Sequence, residues 1–212
     1  MRRVAKAFAV GCLTVLAAVS ANAQEGQGQG QGNMQDFMKA MGAVMSGSTN
    51  PAAVVDFRDL KALLPPTFEG MSRTNFTGEK NGALGMTISS AEATYETQTN
   101  ADSRITIKIS DNGGMGGLMA LAQAGWAAAD IDKESDTGFE RTTTYSGNKA
   151  HEQYDNQSKS GKIEVMVTNR FMVELNGQDI AFEKIEGALK KIDLAKLATL
   201  KPKVAEQQPP AK

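Results

Sequence analysis

Three isoleucines at alternate positions, Ile105, Ile107 and Ile109, are the feature that most limits how this chain can fold. Successive side chains of a β-strand point to opposite faces, so this spacing places all three on one face of a strand. Other segments have the same character, and turns rich in Gly, Asn and Ser separate them. The predicted strands are 72–77, 83–96, 103–110, 138–145, 149–155, 162–168 and 171–175.

Helical patterns lie before, between and after these strands. Asn50 and Pro51 can begin a helix that runs to about Leu64. Residues 118–128 are rich in Ala and Leu, and residues 180–197 carry an apolar stripe. Strands in groups, with helices between the groups, are typical of α+β proteins. We therefore expect a single α+β domain with a mainly antiparallel sheet of about six to seven strands, packed by helices on one face.

The first 23 residues predict export across a membrane. They begin with positive charge, continue with an apolar run too short to span a bilayer comfortably, and end in a small-x-small pattern. The positive charge comes from Arg2, Arg3 and Lys6, and the apolar run covers residues 7–19. The small-x-small pattern is Ala21-Asn22-Ala23. We expect cleavage after Ala23 and a periplasmic location.

A lipoprotein signal is the alternative to this cleavage. The small residues at 9–11 partly fit the pattern that precedes a lipidated cysteine, which would be Cys12. The apolar run continues past Cys12 to Val19, however, and such a continuation favours cleavage after Ala23.

The chain after the signal divides by composition. Residues 24–50 combine a Gln/Gly repeat, which indicates a flexible spacer, with a short Met-rich amphipathic helix. Residues 51–200 hold the predicted strands and helices and form the α+β domain. Residues 201–212 contain several prolines and indicate a disordered tail.

Cysteine content and charge exclude several classes of function. The only cysteine is Cys12, so the mature chain has no disulfide, no thiolate nucleophile and no cysteine metal ligand. The formal net charge is −1, and removal of the signal takes away three basic residues and no acidic ones. A mildly acidic chain lacks the basic stripe that nucleic-acid binding needs. After residue 23 no apolar run is long enough for a transmembrane span.

A methionine recurs every three or four residues in segment 34–46, so a helix there would place all of them on one side. These residues are Met34, Met38, Met41 and Met45. Together with Phe37 they form the apolar face of a short helix, which we expect to dock on a partner, a membrane surface or its own domain. The alternative is a soft-metal site, because Cu(I) favours thioether ligands. We expect no bound cofactor otherwise.

Few residues are candidates for catalysis. His151 is the only histidine, and we expect it to be a solvent-facing or hydrogen-bonded residue of a strand. The sequence has no GxSxG elbow, so a hydrolase that uses His151 with a serine or a carboxylate is a remote alternative. Arg141 and Arg170 lie within or next to predicted strands and are candidates for binding an anionic ligand.

These observations favour a non-enzymatic protein. We expect an exported accessory module of the cell envelope that binds a small ligand or an envelope protein. The candidate binding residues are Phe37, Met38, Met41, Met45, Arg141 and Arg170, and the soft-metal alternative uses the four methionines of segment 34–46.

Overall fold

The strand that carries the three isoleucines lies near the middle of a wide antiparallel sheet. The computed structural model describes residues 53–83, 86–97, 102–115, 124–126 and 128–202. All of them belong to one unit, Gly42–Lys212, and a second unit, Met1–Met41, lies outside the described residues. Within the described residues the sheet has nine strands in the order β1-β2-β3-β4-β9-β8-β7-β6-β5.

The strands and helices have the following bounds. The strands are β1 Thr67–Phe68, β2 Met71–Ala83, β3 Met86–Thr97, β4 Arg104–Gly114, β5 Asp132–Ser135, β6 Gly138–Tyr145, β7 Asn148–Asp155, β8 Ser160–Val167 and β9 Phe171–Gln178. The helices are α1 Phe57–Lys61, α2 Phe182–Leu189 and α3 Leu194–Thr199. In the described part of the chain, no helix is long and apolar enough to cross a membrane.

The antiparallel sheet is confirmed, but it has more strands than predicted. The additional strands are β1 and β5, which are short. All four residues of β5 are exposed, so this strand lacks the apolar alternation that identifies the others. It forms because its backbone pairs with β6, from Asp132 opposite Arg141 to Ser135 opposite Gly138.

One side of the sheet, which we call the inner face, forms the core. Ile105, Ile107 and Ile109 of β4 are fully buried there, beside Val173 and Leu175 of β9. Each such aliphatic side chain contributes about 2 kcal/mol to stability through burial. Side chains of all three helices belong to the same cluster, including Leu60, Ile185 and Leu197. The helices therefore stabilise the sheet from its inner side.

The opposite side of the sheet, the outer face, carries the alternate residues of each strand. One described helical stretch, residues 124–126, lies near this face, because the Trp126 ring meets the outer-facing His151 edge-on with centroids 6.3 Å apart. The helices α1, α2 and α3 thus pack on one face, as the sequence predicts, and only this short helical turn is described near the other face.

The helices are shorter than the sequence predicts. The first begins only after Asp56, whose side chain accepts a hydrogen bond from the Arg58 amide at 2.8 Å. The C-terminal segment splits into α2 and α3, because Asp193 caps a new helix by accepting from the Lys196 amide at 2.7 Å. N-terminal capping of this kind fixes where each helix starts.

Glycine allows α2 to lie against the sheet. A Cβ atom at Gly177 of β9 would lie 2.3 Å from Cδ1 of Ile185. Heavy side-chain atoms do not approach that closely, so a larger residue at this position would push α2 away from β9.

Asp111 and Arg170 tie the start of the domain to the sheet. The Asp111 carboxylate is completely buried and accepts from Arg170 Nε at 2.8 Å and Nη2 at 2.7 Å. It also accepts from the amides of Val55 and Gly113, and Arg170 donates to the Ala53 carbonyl at 3.0 Å. The hydrogen bond with Asp111 raises the pKa of Arg170, so the guanidinium stays charged at neutral pH.

Replacement of Arg170 by alanine should destabilise the domain strongly. The variant leaves the Asp111 side chain buried without its cation, which should lower the free energy of unfolding by about 3 kcal/mol. This value is at the low end of the range for a broken buried ion pair, because the Arg170 side chain is partly exposed to water. Urea unfolding followed by circular dichroism measures this loss. The matched control, Arg104→Ala on an exposed position of β4, should change the free energy of unfolding by less than about 0.5 kcal/mol. Equal effects of the two variants would contradict the stabilising role of the Asp111–Arg170 pair.

Candidate functional site

The candidate binding residues from the sequence fall into two groups. Phe37, Met38, Met41 and Met45 lie outside the described residues, as does Met34, so the partner-binding helix and the soft-metal site stay predictions. Arg141 and Arg170 are described, and each is paired with a buried carboxylate. Among the described residues, no group of three or more His, Cys, Asp or Glu side chains is placed to hold a metal ion.

Arg141 belongs to a cluster on the inner face, at the end of the sheet near α2. Its Nε atom donates to Glu152 Oε2 at 2.6 Å, and the Glu152 side chain is only 1% exposed. The Tyr145 hydroxyl also donates to Glu152, and lies 3.3 Å from Oε1 of Glu186 on α2. Burial and the two neighbouring carboxylates raise the pKa of Tyr145, so its hydroxyl remains a donor. The cluster joins β6, β7 and α2.

The outer face carries a second and larger set of charges, which we call the ionic belt. It runs across β5, β6, β7, β8 and β9 and alternates in sign for most of its length. Its members, in order, are Lys133, Glu140, His151, Glu164, Lys162 and Glu174. The belt forms because strand register places His151 opposite Glu164 and Glu164 opposite Glu174 on the same face.

Short ion pairs connect the members of the belt. Lys133 Nζ lies 3.1 Å from Glu140 Oε2, and Lys162 Nζ lies 2.6 Å from Glu164 Oε1. Lys162 also reaches Glu174 at 3.7 Å. Exposed pairs of this kind each add little to stability, but together they hold the side chains in a fixed pattern.

The imidazole of His151 lies between two carboxylates. Nε2 is 3.2 Å from Glu140 Oε1, and Nδ1 is 3.7 Å from Glu164 Oε2. The side chain is 22% exposed, and the Trp126 ring covers one edge of it. His151 is thus a hydrogen-bonded strand residue, as its sequence context indicates. Its contacts in the described part of the chain include two carboxylates and an indole ring.

Contacts within the belt shift the pKa values of Glu140 and Lys162. A hydrogen bond from Lys133 is the main cause that lowers the pKa of Glu140, and His151 adds to it. Burial alone would lower the pKa of Lys162, but Glu164 and Glu174 outweigh burial and raise it. Both shifts favour the charged forms of Glu140 and Lys162.

The clefts formed by described residues are shallow. One of about 280 Å³ lies beside Trp126 and is lined by Asn148, Lys149, Met166 and the turn at Thr168 and Asn169. Another, of about 360 Å³, lies between β5, β6 and β7. Small-molecule sites are typically enclosed cavities of roughly 300–1,000 Å³. The first cleft is below that range and the second is at its lower end, and both are open to solvent, which is a poor geometry for enclosing a ligand.

Replacement of Glu140 by glutamine should give a small, pH-dependent loss of stability. Because the pKa of Glu140 is lower in the folded protein, its contribution is present above the ordinary carboxyl pKa and disappears as the pH falls. We expect the variant to be about 0.5 kcal/mol less stable at pH 7 and equal to the wild type near pH 2. Thermal melts at both pH values test this. The control is Glu79→Gln, which changes an exposed residue of β2. A difference that persists in acid would contradict the role of the ionised carboxylate.

Comparisons with known proteins give no further assignment. No family model matches the chain, and neither curated proteins nor solved structures contain a significant match.

Proposed function

We propose that this chain is an exported, non-enzymatic module of the cell envelope that binds a protein partner through the ionic belt of its outer face. The observation that carries the proposal is the belt itself, in which ion pairs and the contacts of His151 with two carboxylates link six side chains from five adjacent strands in one row. A row of charges across a sheet face is suited to a protein surface of complementary pattern, because such patterns set specificity and orientation.

The size of the outer face supports a protein partner. Nine strands about 4.8 Å apart and about 8 residues long give a face of very roughly 38 by 26 Å. That is about 1,000 Å², close to the roughly 800 Å² that each partner buries in a standard protein interface. The open clefts beside Trp126 and between β5 and β7 are a weaker basis for a small-molecule ligand.

The surroundings of His151 support a role other than hydrolysis. A general base must lie next to the group that it deprotonates. Both ring nitrogens of His151 face carboxylates, and the neighbouring Thr142 hydroxyl accepts a hydrogen bond from the Ile131 amide at 3.1 Å. Soft-metal binding by Met34, Met38, Met41 and Met45 remains the alternative function and rests on their spacing alone.

Exchange of two belt charges should abolish partner binding and keep the fold. The double variant Lys162→Glu/Glu164→Lys retains the internal pair, so its melting temperature should stay within a few degrees of the wild type. The charge pattern that a partner meets is inverted, which should cost at least tenfold in the yield of cross-linked complex. To measure binding, a photo-cross-linking residue replaces Thr142, which lies beside His151. Cross-linking is carried out in living cells, and mass spectrometry identifies the adducts.

The matched control places the same cross-linker at Gln157, in the exposed turn between β7 and β8. Thr142 should give a defined adduct and Gln157 should not. An adduct of equal yield from both positions, or one that survives the charge exchange, would overturn the proposed binding face.

The export signal should be removed after Ala23. Mass spectrometry of the envelope fraction should find a mature amino terminus at Gln24, because a small-x-small pattern ends the apolar segment. Ala23→Arg should block this cleavage and leave an uncleaved chain. An intact Met1 terminus in the cytosol, or a lipid-modified Cys12, would contradict this interpretation.

A further inference from the structure

The charges of the outer face continue beyond the ionic belt. Lys108 of β4 lies directly opposite Glu174 of β9, and Glu92 of β3 lies directly opposite Lys108. These residues occupy outward positions, because their neighbours in sequence, such as Ile107 and Ala91, are buried in the core. Directly opposite residues on one face have Cβ atoms about 5 Å apart. The pattern of the belt therefore extends across two more strands.

Seven adjacent strands thus contribute to one line of ionisable side chains, which we call the charge row. The strands lie in the order β5-β6-β7-β8-β9-β4-β3. Lys108 and Glu92 complete the row, and the ionic belt supplies its other members, which are Lys133, Glu140, His151, Glu164 and Glu174. The side chains from the belt are between 20% and 70% exposed, and Lys108 and Glu92 are partly exposed. A partner can therefore reach the row.

The charge row is long and narrow. Six strand spacings of about 4.8 Å give it a length of about 29 Å. Glu140 lies opposite Gln153, which is two residues along β7 from His151, so the width of the row is about 7 Å. An α-helix of about 19 residues has the same length, and a helix with its side chains is about 10 Å wide. One helix therefore matches both dimensions.

The spacing of the charges distinguishes between kinds of partner. Side chains on one side of an α-helix recur about every 5.4 Å, which differs from the strand spacing by about 0.6 Å per step. Side chains on one face of an extended strand recur about every 6.7 Å, so the mismatch is about 1.9 Å per step. Over four steps the mismatch reaches about 2.4 Å for a helix and about 8 Å for a strand. Long charged side chains can adapt to the first value but not to the second.

In the described part of the chain, the helical turn at Trp126 stands beside the charge row rather than across it. Trp126 lines a cleft together with Asn148 and Lys149, which precede His151 on β7. Gln153 follows His151 on the same strand and is exposed. The turn therefore lies along one margin of the row, and Gln153 marks the other.

We propose that the partner of the outer face presents an α-helix of about five turns, which lies across the strands and places one charged side chain per turn on the charge row. This inference rests on the proposed function and adds the shape and chemistry of the partner. The charges of the helix are opposite in sign to those that they meet. Acidic residues face Lys133 and Lys108, and basic residues face Glu140, Glu164, Glu174 and Glu92.

Photo-cross-linking in living cells, at three positions of the full chain, measures the spacing of the partner. Gln153, Asn176 and Thr106 lie at one level of the outer face, because Lys162 is opposite both Gln153 and Asn176, and Asn176 is opposite Thr106. None of the three belongs to the charge row. A photo-cross-linking residue replaces each of them in turn, and mass spectrometry locates the partner residue that it labels.

The distance from Gln153 to Thr106 is three strand spacings, about 14 Å. A helix rises about 1.5 Å per residue, so the sites labelled from these two positions should be about 10 residues apart in the partner sequence. The site labelled from Asn176 should lie between them, about six residues from the Gln153 site. An extended partner would separate the two outer sites by only about four residues, and that result would overturn the helix.

The control places the cross-linker at Glu183, an exposed residue of α2 on the inner side of the sheet, where it should not label the partner helix. Thr94, which is opposite Thr106 on β3, serves instead if the substitution of Thr106 disturbs folding. The expected separation from the Gln153 site is then about 13 residues.

The outcomes separate this inference from the proposed function. One partner labelled at sites without helical spacing would overturn the helix and leave the binding face in place. Labelling of the charge row of a second copy of this chain would also overturn the helix. No adduct from any of these positions, and none from Thr142, would overturn both proposals.

Discussion

Burial of the inner face is the constraint on which the other features depend. The central pair, β4 and β9, runs in continuous register from Arg104 opposite Gln178 to Asp111 opposite Phe171. Every second residue of this pair points into the core, so a slip by one position would expose Ile105, Ile107 and Ile109 together. Fixed register on the inner side also fixes which residues meet on the outer side. The ionic belt is thus a product of the same register that builds the core.

The two buried carboxylates have a different role from the belt. Asp111 accepts four hydrogen bonds, two from amides and two from Arg170, and joins the segment at Ala53–Val55 to β4 and to the turn before β9. Glu152 joins β7 to β6 through Arg141 and Tyr145. A buried charge is tolerated only with such partners, and its loss is costly because the remaining group is left unpaired. These pairs therefore fix how the segment 53–55 and the strands that they join are arranged, whereas the belt is partly exposed.

Much of the sheet follows from the sequence, because alternation identifies strands wherever one face is apolar. The pattern fails at Gly78 and Gly82, which resemble turn residues but lie inside β2. At Gly78 the missing side chain leaves room for Phe57 of α1, since a Cβ there would lie 2.6 Å from the Phe57 ring. The pattern also fails at β5, where all side chains are exposed and only backbone pairing defines the strand.

The belt could not be predicted in the same way. Lys162, Glu164 and Glu174 occupy outward positions that alternation alone identifies. Which of these side chains are neighbours, however, depends on the order in which β5 to β9 lie side by side, and alternation does not contain that order. His151 was recognisable as a strand residue, but the two carboxylates beside it come from different strands, β6 and β8.

An open sheet has two unpaired margins, and both are protected in this protein. On one side β1 pairs only with Met71 and Ser72, and the rest of that margin is β2, which carries Glu79 and Lys80 with exposed side chains. On the other side β5 carries Asp132, Lys133 and Glu134 with exposed side chains. Short or charged margins discourage the addition of a foreign strand, which is the first step of edge-to-edge aggregation. A sheet this broad thus carries, at both of its margins, features that oppose pairing with the strands of another chain.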